Sequence, residues 1–198
     1  MKKATEIAKP APTDRRVQRT RQLLQESLRV LILEKGYDAT TVQDVIDRAN
    51  VGRATFYAHF QDKEALLLSG FEQLWAHFEQ VFVGENAPIG DPWHTSLALF
   101  QHAKSHRDLY KAMAGKRGAT ILQTHLQRKL TALLQPHLKS QMGKRKKSFP
   151  SEVLTHYVVV SLIDLLTWWA DNDTAYSAEQ MHSFFRQLVQ PGVESVLM

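Results

Sequence analysis

"TTVQDVIDRANVGRATFYAHFQDKEAL", residues 40–66, decides how this chain is to be read. Two short segments with helical apolar spacing flank Ala49-Asn50-Val51-Gly52, and the second sets Arg53, Thr55, Tyr57, His59 and Lys63 almost on alternate positions. That is more hydrogen-bonding capacity than so small an apolar face needs. Thr41 with Asp44 three positions later has the form of a capping box, opening a helix that carries Val42, Val45 and Ile46 inward and stops near Ala49. A second helix is predicted from about Arg53 to His59. Two helices joined by a short glycine-containing turn make a helix-turn-helix, whose second member fits the major groove of DNA. At about 3.6 residues per turn, Phe56 and Phe60 point together toward a core and leave Ala54, Thr55 and Ala58 on the opposite face. Tyr57 and His59 then lie on its flanks, within reach of phosphates on either side of a groove.

Upstream, Leu24, Ser27, Leu28, Leu31 and Ile32 fall at helical spacing and Gly36 supplies a stop, so residues 15–35 are predicted to form one amphipathic helix. Residues 1–13, with two prolines and little apolar content, read as a disordered basic arm. Lys2, Lys3, Lys9, Arg15, Arg16, Arg19 and Arg21 crowd this end, whereas Arg186 is the one lysine or arginine after Lys147. The net charge of +5 is therefore distributed as for a protein that meets a polyanion at one end.

Residues 19–66 resemble the DNA-binding domain of the TetR (tetracycline repressor) family of bacterial transcription regulators. The likeness runs without a gap from "RTRQLLQESLRVLILEKGYDATTV" to "FYAHFQDKEAL". It implies that Thr41 and Gln43 brace the DNA backbone, that Arg53, Thr55, Tyr57 and His59 serve the recognition helix, and that Lys63 grips phosphate. Ala54 and Ala58 are expected to face bases without hydrogen-bonding them. Two positions depart from the pattern: Gly52 stands where the family often has Ser, and Ala54 where it often has Gly.

Beyond the opening stretch the pattern stays helical. Asp62 is placed to cap a fourth helix running through Phe71, Trp75, Phe78 and Phe82, and "GENAPIGDP" (84–92) is a turn-rich break. Helices are predicted over 93–106, 107–114 and 118–142, the last bent by Pro136. "GKRKKSFPS" reads as a basic linker, Ser151 as the cap of a strongly apolar helix through Trp169, and Ser177 as the cap of a last helix interrupted at Pro191-Gly192. The expected fold is all-α: an N-terminal three-helix DNA-binding domain over 14–62, then a helical regulatory and dimerisation domain over 63–198. Family resemblance implies that the final two helices pair in a homodimer, for which Leu162, Leu166, Trp169 and Phe185 are the candidate interface residues. It implies as well a pocket for a small apolar effector, with Phe71, Trp75, Phe78, Phe100 and Tyr110 as candidate lining.

The chain has no cysteine, which removes disulfides and thiolate metal sites and fits a cytoplasmic setting. No apolar run is expected to span a bilayer, so no membrane partner is predicted. His102 and His106 sit one turn apart, but no carboxylate stands at matching spacing, and neither metal nor cofactor is expected. An enzyme is the main rival class, yet G-x-S-x-G, H-E-x-x-H and glycine-rich phosphate loops are all missing. The other rival is a helical regulator that works through a protein partner. The favoured expectation is a repressor released from a palindromic double-stranded operator by a small apolar effector.

Overall fold

The structure, a computed structural model, describes residues 12–83, 93–113, 117–142 and 149–197. Among the described residues there are nine α-helices and no strand: α1 (Pro12–Lys35), α2 (Val42–Ala49), α3 (Arg53–His59), α4 (Lys63–Val83), α5 (His94–Ser105), α6 (Arg107–Met113), α7 (Arg117–Met142), α8 (Ser151–Asp171) and α9 (Ala178–Leu197). Of the predicted arm, Pro12 and Thr13 begin α1 and the rest lies outside the described residues, as do the 84–92 break and most of the basic linker.

The first three helices close around a small core. Leu24, Leu28, Leu31 and Ile32 of α1 meet Tyr37, Val45, Ile46, Phe56 and Phe60, all nearly inaccessible to solvent. Each helix end has a local cause. Gly36 takes a φ of 81°, which a side chain would strain, and ends α1. The predicted capping box is present: the Thr41 hydroxyl accepts from the Asp44 N–H at 3.1 Å, and the Asp44 carboxylate accepts from the Thr41 N–H at 2.7 Å. Asn50 ends α2 with a φ of 51°, a conformation its short amide side chain tolerates. Asp62 accepts from the Ala65 N–H at 2.7 Å and so caps α4.

From α4 onward a second core forms, in which α7 and α8 pack along their lengths and α5 lies against α9. Ser177 caps α9 through a reciprocal pair with Gln180. Three expectations need correction. Ser151 is the first residue of α8 and Pro150 occupies the cap position, with no side-chain cap bond. α9 runs unbroken through Pro191, because the residue costs one N–H near a helix end that has few turns left to disrupt. And α8 is long and apolar enough to cross a membrane by length and composition. Its apolar character has another cause: Leu154, Val158, Val159, Leu162, Leu166 and Trp169 fill the second core.

Close packing joins the two halves, and an ion-pair cluster fastens α4 within the second. A Cβ at Gly118 would sit 2.9 Å from Cβ and Cγ of Tyr37, so α7 reaches the first core only because that position has no side chain. On α4, the Glu72 carboxylate accepts from His125 Nε2 at 2.5 Å and from Lys129 Nζ at 2.7 Å, fastening α4 to α7. Arg128 donates to His125 Nδ1 at 2.8 Å, so Nε2 is the ring nitrogen that donates to Glu72.

Candidate nucleic-acid interface

The phase of α3 follows from its two aromatic anchors. Phe56 is fully buried and Phe60 nearly so, their rings 6.2 Å apart, and this turns Arg53, Ala54, Tyr57 and Ala58 to solvent. Tyr57 keeps 47% of its surface exposed although its ring edge meets Phe56 at 5.3 Å. Thr55 and His59 are half-buried on the flanks.

On that outer face four residues form one connected patch. Arg53 Nη1 donates to Gln43 Oε1 at 3.4 Å, Gln43 Nε2 donates to Asp47 at 2.8 Å, and the Arg53 guanidinium lies 5.7 Å from the centre of the Tyr57 ring. α2 and α3 thus present a guanidinium, an amide and a phenol side by side. Between Arg53 and Tyr57, Ala54 and Ala58 offer only methyl groups, leaving room for a groove edge to approach.

The two remaining residues of the predicted set are otherwise engaged. Thr41 donates its hydroxyl proton to Asp44 at 2.6 Å while accepting from the Asp44 N–H, so the cap uses it in both directions. Lys35 adds a 2.8 Å ion pair, and with the Thr41 bonds it holds the Asp44 carboxyl well below the usual carboxylate range. Lys63 donates to the carbonyls of Tyr37 at 2.7 Å and Thr40 at 2.5 Å, with its ammonium 4.1 Å from the Tyr37 ring centre. Burial lowers its pKa. Two of three ammonium protons therefore brace the loop before α2.

Arg21 was visible in the sequence only as one of a basic cluster. In the fold it donates to the His59 carbonyl at 3.4 Å and lies 4.6 Å from the Phe60 ring centre, so it holds the C-terminal end of α3 from α1. An arginine at the i+3/i+4 edge of the α1 apolar stripe was the available signal.

In the regulatory half the candidate residues separate. Phe71 and Tyr110 line two neighbouring cavities. Trp75 and Phe100 do not: both are packed into the core, at 2% and 0% exposure, and the Phe78 side chain lies outside the described residues. The cavity enclosed by α4, α6, α7 and α8 measures about 290 Å³ and adds Leu126, Leu166, Thr120, Gln123 and Thr167 to those aromatics. The candidate interface residues also require correction, since Leu162, Leu166, Trp169 and Phe185 all turn into the core of their own chain. The outward faces of the same helices carry Val153, Tyr157, Val160 and Trp168 on α8 and Phe184 and Leu188 on α9, the last 71% exposed. A helix apolar all round gave no phase to choose between them.

Comparison with known proteins agrees with this geometry. The profile described as "Bacterial regulatory proteins, tetR family" matches residues 25–69, and "Transcriptional regulator C-terminal region" matches 91–191. The chain is 27% identical over 200 residues to the HTH-type transcriptional regulator YxbF of Bacillus subtilis (strain 168), an alignment covering 93% of this chain and 48% of that protein. It thus spans about half the length of that relative. Among solved structures, a TetR transcriptional regulator from Streptococcus agalactiae 2603V is 26% identical with a TM-score of 0.67, covering 89% of this chain and 97% of the other. RolR, solved in complex with resorcinol, has the same fold at 19% identity and a TM-score of 0.55, covering 93% of this chain and 95% of its own. With one profile lying on the helix-turn-helix and the other running over more than half of its length, the chain belongs to the TetR family of transcriptional regulators and carries its DNA-binding domain.

Proposed function

We propose that the protein is a homodimeric repressor that sets two α3 helices into successive major grooves of a palindromic operator and releases it when a small apolar effector binds. The observation that carries DNA reading is the joined Gln43–Arg53–Tyr57 patch beside the methyl groups of Ala54 and Ala58. His59 and Thr55 flank the groove, and Thr41 and Lys63 hold the loop that aims α2. Dimerisation is supported by the outward apolar row of α8 and α9, in which Tyr157, Val160, Trp168 and Leu188 are exposed. A row of that length on a lone surface favours association.

The effector reading rests on the 290 Å³ cavity, whose apolar walls carry a few hydrogen-bonding groups, and on the resorcinol found in RolR. α4 forms one wall and follows α3 directly out of the DNA-binding half, so ligand that shifts α4 alters the spacing of the heads. Major grooves on one face of DNA recur every ~34 Å, and a small change of spacing takes one head out of register. The protein acts in the cytoplasm and performs no catalysis.

A gel-shift titration against the DNA flanking its own gene tests the reading. Expected is sequence-selective binding weakened by small phenols, with operator lowering phenol affinity by the same factor. Selective binding that no apolar compound alters would move regulation to a protein partner, and absence of DNA binding would remove the proposal.

A further inference from the structure

A second cavity, about 490 Å³, lies on the other side of Phe71 and Tyr110. Its walls come from both halves of the molecule: Leu28 and Ile32 of α1, Leu66 and Gly70 of α4, and Leu109 and Met113 of α6. It is a groove that opens to solvent past the exposed Gln22, Glu26, Arg29, Gly70 and His106, over a floor of buried Leu28, Ile32, Leu66 and Met113 whose apolar atoms lack partners on that side. Here α4 itself makes the room. Gly70 carries no side chain, and a Cβ built on it meets no atom within 4 Å, so nothing in the packing requires a glycine. Each helical glycine costs conformational freedom that an alanine would save, and the position keeps the space open at that cost.

The polar groups at this cavity describe its occupant. Glu26 and Arg29 face it but bind each other through two contacts, at 2.5 and 2.8 Å, so neither charge awaits a partner. Opposite them, the rings of His102 and His106 stack at 4.2 Å at the end of α5, with Tyr110 edge-on to His102 at 6.0 Å. Burial raises the Tyr110 pKa to about 12, which keeps its hydroxyl a donor, and burial beside His106 lowers that of His102 to about 4, which keeps the ring neutral. A charged ligand would find no counter-ion, whereas a flat neutral one finds aromatic walls, an imidazole pair and the Gln25 amide.

We propose that this cavity between the two halves is a binding site in its own right, distinct from the effector cavity, for an uncharged ring-bearing apolar molecule with one or two hydrogen-bonding groups. Its occupant touches α1 of the DNA-binding half and α6 of the regulatory half at once, and so holds one against the other.

N-Phenyl-1-naphthylamine, neutral and fluorescent in apolar surroundings, is the probe. The wild type should take up two molecules per chain. Gly70→Leu should weaken one site at least tenfold by filling it, Gly70→Ala should change it less than twofold, and Ile163→Phe should remove the other site, whose lining includes Ile163 but not Gly70. His106→Trp, an exposed position at the mouth, gives the same loss as Gly70→Leu without altering a core residue. A single site abolished by Gly70→Leu and His106→Trp would uphold this cavity and discard the effector cavity. Binding that neither variant weakens, or that only Ile163→Phe weakens, would overturn the inference.

Discussion

The DNA-binding half and the regulatory half are both helical, yet they use their apolar residues differently. In the first, a short list of side chains around Phe56 and Phe60 fills the core and leaves the polar residues of α3 turned outward. In the second, apolar residues fill the core, line two cavities and cover the outer faces of α8 and α9. Where the core is small, a polar residue out of place announces its role. Where three demands all select apolar residues, composition no longer tells one from another.

The sharpest way to break this comparison is at the outer face of α9. Leu188→Arg should convert a dimer to monomers in sedimentation at micromolar concentration while leaving the helical circular dichroism unchanged. Leu166→Ala, in contrast, should leave the dimer intact and cost about 2–5 kcal/mol of stability, because Leu166 is a core residue. If Leu166→Ala dissociates the dimer and Leu188→Arg does not, the assignment of the two faces is reversed.

Within the DNA-binding half, Arg53 and Lys63 are expected to part company. Arg53→Ala should relax preference at one base position of each half-site by roughly 1–3 kcal/mol, since its guanidinium lies on the open face. Lys63→Ala should lower stability by about 1 kcal/mol through the bonds lost at the Tyr37 carbonyl, which keeps the Thr40 N–H, and at the Thr40 carbonyl, and should leave the salt dependence of DNA binding as it was. A salt slope smaller by about one unit would show instead that the ammonium leaves the loop for a phosphate.

This pair also marks how much could be read beforehand. The capping box at Thr41, the stop at Gly36 and the inward pair Phe56 and Phe60 rest on short-range rules and were legible, whereas Tyr57 takes the open face and Thr55 the flank, the reverse of the expected order. The engagement of Lys63 was not legible, because Tyr37 and Thr40 come within its reach only through the packing of α4 on the loop. Phe71 and Tyr110 were legible as aromatics at helical spacing. That Trp75 and Phe100 belong to the core depends on which neighbour each helix face meets, and spacing along one helix carries no such information.

The regulatory half should respond to pH between about 4 and 6.5. His102 has its pKa lowered to about 4, so between that value and the unfolded one near 6.5 the unfolded chain binds more protons. Stability is then complete above about pH 6.5 and falls as pH drops toward 4, by roughly 1–2 kcal/mol between pH 6.5 and 5. Denaturant melts across that range should show the decline, and His102→Gln should flatten it. An equal slope in the variant would assign the effect to other groups.

The smallest effect is expected at Gly52, one of the two positions in the DNA-binding half that depart from the family pattern. It caps α3 with extended backbone, φ −74° and ψ 152°, and contributes no side-chain bond. A Cβ there would meet only the Thr55 hydroxyl, at an ordinary 3.8 Å, so Gly52→Ser fits without strain. The new hydroxyl can accept from an N–H in the first turn of α3, and the difference between serine and glycine caps is a few tenths of a kcal/mol. In a chain of this size that raises the melting temperature by about 1 °C. The same hydroxyl would stand at the front of the recognition helix as an added phosphate donor, so DNA affinity should rise similarly for all sequences, with selectivity unchanged. A change in base preference from Gly52→Ser would mean that the front of α3 lies against a base edge and not against the backbone, and would move the reading face one turn toward its N-terminus.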